Sequence, residues 1–251
     1  MTPDFGAAPV QDQIILWIAK LMQGGEEDED VCKALDAITK LLHDDSSEPR
    51  SASPLHELID KEGFQTILEC LDMKQGEVVR GHATMTVSTY LKATGQIGIG
   101  RLREFFLARV SKGTYDDFIV AFSVAASIFP VVPGVSAELF LSDGFVGSLG
   151  SLMKRKWKSR KVEHACLEML NAACMDATCR EAIRKYCSEW LEEVIAEHPV
   201  DLGDLKTADR HVVMEVGSLQ QRVHSQEVRT TAAVILAKIQ VRSVVQTQIR
   251  S

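Results

Sequence analysis

Apolar residues return every three and four positions along "ILWIAKLM", "HELIDKEGFQTILECL", "RLREFFLARV", "HACLEMLNAAC", "SEWLEEVI" and "TTAAVILAKI". That spacing lines one face of an α-helix. No run of alternating β-branched residues bounded by turns interrupts it, so the pattern predicts an all-α chain. The pattern lapses in "GGEEDED" (Gly24 to Asp30) and in "HDDSSEPRSASP" (His43 to Pro54). Both stretches are too polar to bury a face and read as loops. The second predicts a linker between an N-terminal helical hairpin and the main body.

One stretch departs from amphipathic spacing altogether. "FIVAFSVAASIFPVVPGVSA", Phe118 to Ala137, carries no charge and is about as long as a bilayer-crossing helix. Pro130 and Pro133, with Gly134 beside them, end an unbroken helix near Phe129. The flanking charges are Asp116, Asp117 and Glu138, with no Lys or Arg to hold lipid headgroups. The remaining dozen or so residues predict a core helix buried on nearly every side.

Self-similarity explains what would bury it. "VCKALDAITK", "RGHATMTVST", "FIVAFSVAAS", "VEHACLEMLN" and "VRTTAAVILAK" share an Ala, an apolar residue four later and a polar one six later. The Ala positions are 34, 83, 121, 165 and 232, separated by 49, 38, 44 and 67 residues. Armadillo and HEAT repeats recur at about 40 to 47. The longest gap predicts an insertion near 198–218. A preceding helix, "EGFQTILECLDM" or "DGFVGSLGSLMK", opens with an acidic residue and Gly ahead of the second and fourth Ala segments. The predicted fold is an all-α, right-handed armadillo/HEAT-like helical solenoid. Its stacked core takes Ala34, Ala83, Ala121, Ala165 and Ala232 together with Ile38, Val87, Ala125, Met169 and Leu236. The expected organisation is a helical hairpin or first repeat over 1–45, a polar linker over 46–54, a repeat region over 55–243 and a polar tail over 244–251.

Composition narrows the function. Hydrophobic residues make up 45% of the 251 and charged ones 25%, and the net charge is −7. Such a surface repels nucleic acid and anionic lipid, so neither partner is expected. The first apolar run follows Asp12 and is broken by Lys20, unlike a secretory leader; a cytoplasmic location is expected. Cys166, Cys174, Cys179 and Cys187 lie near His164, which raises a zinc site. However, Cys166 and Cys174 are eight residues apart on one helix, about 12 Å along its axis, too far to share a metal with ligand bonds of about 2.3 Å. They read as reduced core cysteines. "GQIGIGRLR" lacks the third Gly of a dinucleotide fingerprint, with Arg103 in its place, and reads as an inter-helix turn. His82 and His164 each precede a repeat Ala and hold equivalent places. The basic stretch Lys154 to Lys161 reads as a solvated loop joining two helices, the alternatives being a localisation signal or a patch for an acidic partner. No catalytic set, cofactor or metal site is predicted.

The sixth position after each Ala is polar throughout: Lys40, Thr89, Ser127, Asn171 and Lys238, including the one Asn of the chain. In armadillo proteins this helix lines a concave groove, and an Asn at this place often binds the backbone of an extended peptide. These five are the candidate protein-binding residues. The Trp that import adaptors carry four residues earlier is absent, the positions being Asp36, Met85, Ser123, Leu167 and Val234.

"GFQTILECLDMKQGEVVRGHATMTVSTYL" and "DDFIVAFSVAASIFPVVPGVSAELFLSDGFV" resemble the central armadillo region of the UCS proteins, the myosin-directed chaperones, most closely their fungal members. The resemblance covers roughly Leu55 to Ile195. It implies a non-catalytic scaffold that assists folding of the myosin motor domain together with the ninety-kilodalton heat-shock chaperone. An armadillo-type nucleotide-exchange or regulatory co-chaperone for a heat-shock ATPase is the alternative.

Overall fold

The computed structural model describes residues 10–23, 28–46, 59, 61–72, 74–132, 134–141, 145–154, 159–197 and 225–240, which are helices joined by turns with no strand among them. The helices are α1 (Val10–Met22), α2 (Asp28–Ser46), α3 (Lys61–Glu69), α4 (Glu77–Thr94), α5 (Gln96–Lys112), α6 (Tyr115–Ile128), α7 (Val135–Phe140), α8 (Phe145–Lys154), α9 (Arg160–Ala173), α10 (Ala177–Glu197) and α11 (225–240). The all-α helical-repeat class expected from the periodicity is observed. The chain divides into two compact units, Met1–Val135 and Ser136–Ser251. The 198–218 insertion, the 244–251 tail, positions 47–54 of the expected linker and positions 155–158 of the basic stretch lie outside the described residues.

In the first unit α2 packs on α4 and α4 on α6, so its three Ala-bearing helices stack in sequence order. Contacts between neighbours show the period directly. Asp36 meets His82 and Thr39 meets Thr86, advancing in the same direction along α2 and α4. Lys61 meets Glu104 and Glu69 meets Arg109, advancing likewise along α3 and α5. Equivalent helices therefore run parallel, as a solenoid requires.

The Ala column is buried: Ala34, Ala83, Ala121, Ala165 and Ala232 have no exposed surface. Ile38, Val87, Ala125 and Met169 are buried as expected. Leu236 is the exception, only half-buried, while Ile235 and Ile239 join Val228 and Ala232 in the core. At 100° per residue those four centre to one side of Ala232, and position 236 falls at the stripe's edge. The more heavily covered α4 has a wider stripe that includes both Thr86 and Val87.

The uncharged stretch runs through α6 and its following turn into the start of α7. Helix α6 is its longest part. It runs to Ile128 with Phe129 as its last cap, where the prolines require it to stop, and every residue from Asp117 to Ala125 is buried. Among the described residues no helix is long and apolar enough to cross a membrane. Local chemistry fixes its start: Thr114 accepts a hydrogen bond from the Asp117 backbone N–H, satisfying one of the donors a helix leaves open.

Three loop expectations need correction. Asp28, Glu29 and Asp30 form the first turn of α2 rather than a loop, where negative charge complements the helix dipole. The same helix continues past His43 to Ser46. In "GQIGIGRLR" only Gly95 makes the turn, at φ 56°, and Gly98 and Gly100 are helical residues of α5. Gly98 is buried because a Cβ there would press on the Thr94 hydroxyl and come within 3.3 Å of Leu91 and Tyr90. Its glycine serves packing, not phosphate binding.

In the second unit α10 packs against α8 and α9. Asp176 caps α10, accepting from the backbone N–H groups of Thr178 and Cys179 at 2.7 and 2.9 Å. Cys166, Cys174, Cys179 and Cys187 are free thiols in this core.

Candidate functional site

The five candidate residues fall on two faces, one in each unit. In the first unit, Lys40 is exposed and Thr89 half-buried, and neither side chain has a hydrogen-bond or ion-pair partner among the described residues. Helical geometry puts the residues one before, two after and six after each Ala within about 60° of one another. That sector on α4 holds His82, Met85 and Thr89, and on α2 it holds Asp36 and Lys40. His82 Nδ1 lies 2.5 Å from Asp36 Oδ1, tying the two helices across this face. Below it the Thr39 and Thr86 hydroxyls meet at 2.7 Å, and Thr86 donates to the Leu35 carbonyl at 3.2 Å. The face is thus polar at its floor. Met85 stands out of it, 60% exposed.

On α6 the face closes. Ser123 is buried and donates to the Ile119 carbonyl at 2.6 Å. Ser127 is half-buried, with no hydrogen-bond partner among the described residues. The open part of the first unit's face is therefore the α2–α4 valley.

In the second unit the structure brings Asn171 and Lys238 together. Lys238 Nζ donates to Asn171 Oδ1 at 2.6 Å, between α9 and α11. A lysine offers only donors, so the Asn171 amide must turn its oxygen towards it. The two amide N–H donors are left for another acceptor. Val234, one turn before Lys238, is 41% exposed. Leu167, one turn before Asn171, is buried. Each face thus joins polar groups to exposed apolar surface, with Met85 in one unit and Val234 in the other.

His82 and His164 do hold the same place before their Ala, but their contacts differ. His164 Nε2 reaches Glu168 of its own helix at 3.4 Å, whereas His82 pairs with Asp36 of the neighbouring helix. The Asp36–His82 contact is the feature that the sequence pattern did not reveal. Its only signal is a carboxylate two after one Ala and an imidazole one before the next.

Burial pushes the core thiols away from reactivity. Cys179 and Cys187 are raised to about 12 and Cys174 to about 11, chiefly by desolvation of the thiolate. Among the described residues no group of three or more His, Cys, Asp or Glu side chains is placed to hold a metal ion. What the two faces offer is hydrogen bonding and apolar contact along parallel helices. The model of the family described as "myosin-binding striated muscle assembly central" matches residues 27–249.

The chain belongs to this family.

No curated protein and no solved structure matches it. The family match extends beyond the Leu55 to Ile195 resemblance at both ends. It takes in α2 and α11, the helices that carry Lys40 and Lys238, so every candidate groove residue falls inside the myosin-binding striated muscle assembly central region.

Proposed function

We propose that this chain is a non-catalytic, cytoplasmic protein-binding scaffold in myosin maturation, taking a segment of the myosin motor domain as client and working with the ninety-kilodalton heat-shock chaperone. The observation that carries the reading is the family match over residues 27–249, whose description names myosin binding. The two faces supply a means. Asn171 presents amide donors fixed by Lys238, and Lys40 and Thr89 are uncommitted among the described residues. An extended client backbone would take its hydrogen bonds from such groups and place apolar side chains against Met85 or Val234.

The test is the affinity of the chain for a purified myosin motor fragment, before and after Asn171→Ala and Thr89→Ala. Both variants should weaken binding while melting with the parent. Binding that survives both changes would put the client elsewhere, and no binding to the motor fragment would refute the proposed client. A parallel titration with the heat-shock chaperone addresses the second partner independently.

A further inference from the structure

A second surface lies in the first unit between α3 and α5, on helices other than those that carry the groove candidates. It is a cleft open to solvent. Lys61, Arg101, Arg109 and Lys112 line it, against one carboxylate among the described residues, Glu104. That is a concentration of positive charge on a chain of net charge −7.

The cations are not equivalent. Arg109 is answered by Glu69 and by Asp117 at 3.0 Å, and stacks over the Phe105 ring with 5.2 Å to its centroid. Its charge is spent inside the fold. Arg101 is held just as firmly, but by neutral acceptors: it donates to the Ile59 carbonyl and, at 2.9 Å, to the Tyr90 hydroxyl. Its position is fixed, and among the described residues it makes no ion pair. Lys112 makes no ion pair among the described residues. Lys61 pairs with Glu104 at 3.1 Å, but both side chains are mostly exposed, and such a pair is worth about 0–1 kcal/mol. It can be exchanged for another carboxylate.

We infer that this α3–α5 cleft docks an acidic, extended protein segment. Arg101 and Lys112 are eleven residues apart on α5, which is close to three full turns and about 16 Å of rise, so they share a face. An extended chain covers that distance in about five residues, and every second side chain faces the same way. A segment with carboxylates at alternate positions therefore meets Lys61, Arg101 and Lys112 in turn. Glu104 stands among them as a repulsive group, which limits affinity and favours exchange.

The experiment titrates the full chain into a short fluorescent peptide with Glu at alternate positions among Ala and Ser, with a Gln-for-Glu peptide as control. The Glu peptide should bind, the Gln peptide should not, and affinity should fall severalfold as salt rises from about 50 to about 200 mM. Glu104→Gln should tighten binding about two- to fivefold and Lys112→Glu should weaken it by at least that factor. If Lys112→Glu melts early, Glu104→Gln decides alone, since it removes only an exposed pair. No binding to the parent, or affinity unmoved by Glu104→Gln, overturns the proposal. So does a short single-stranded DNA that binds more tightly than the peptide and responds to the same variants, because the cleft would then read charge without a peptide's geometry.

Discussion

Lys238 and Asn171 hold the same place in their helices, six residues after a buried Ala, and they touch: the ammonium donates to the amide oxygen at 2.6 Å. The 67 residues between them are the 67 between Ala165 and Ala232. Helices α9 and α11 are therefore in register on this face, and the long intervening segment does not displace it.

This contact lends itself to a double-mutant cycle in the client-binding assay. Asn171→Ala and Lys238→Ala are each expected to weaken binding of the motor fragment. The double variant should lose less than the sum, because Lys238 acts by orienting the amide. Stability should change by no more than about 1 kcal/mol, since the pair is exposed. Strict additivity of the binding losses would separate the two residues.

Enlarging the Ala column should be costly. Ala165 has no exposed surface, so Ala165→Leu overpacks a helix contact at about 1–3 kcal/mol. Urea unfolding of the two proteins side by side measures this. An unchanged midpoint would mean that the helix contact yields without cost.

Two helical glycines should respond in opposite directions to Ala. Gly98→Ala in α5 forces a Cβ against Thr94, whose hydroxyl is already bonded to the Tyr90 carbonyl at 2.7 Å; about 1–3 kcal/mol of stability should be lost. Gly81 lies inside α4, and a Cβ there would meet nothing within 4 Å, so Gly81→Ala should add about 0.5–1 kcal/mol. Thermal melts of the two variants should straddle the parent.

Acid should weaken the first unit through Asp117. The Thr114 hydroxyl, donating at 2.5 Å, holds its carboxyl below the usual carboxylate range against the opposing effect of burial, and Arg109 adds to it. A carboxyl depressed in the folded state contributes stability above its unfolded pKa of about 4 and loses it as pH falls through the lower folded value. Stability measured between about pH 5 and pH 2 should therefore fall less steeply in Asp117→Asn, which starts from a lower value at neutral pH. Parallel curves would remove Asp117 as a source of the acid response.

The core thiols should be inert until the chain unfolds. With Cys179 and Cys187 pushed up to about 12 by burial, thiolate is scarce near neutral pH. Alkylation followed by mass spectrometry should leave both unmodified in the native protein and label them in urea. Rapid native labelling of either would show that α10 opens readily.

Along the chain, the sequence itself determined the helices, the ends of α6 and the buried Ala column. These depend on local chemistry and on a period: prolines that cannot continue a helix, Thr114 that caps one, and small residues that recur where neighbours press closest. It also placed Asn171 and Lys238 at matching positions. Only the tertiary structure decided that they touch, that Ser123 is covered where Met85 is open, and that Leu236 yields its core place to Ile235. Position within a helix gives a side chain's angle, but exposure depends on how many neighbours surround that helix. The Asp36–His82 contact and the Arg101 site were illegible for the same reason. Each joins residues more than forty positions apart, and only the packing of one repeat on the next brings them within bonding distance.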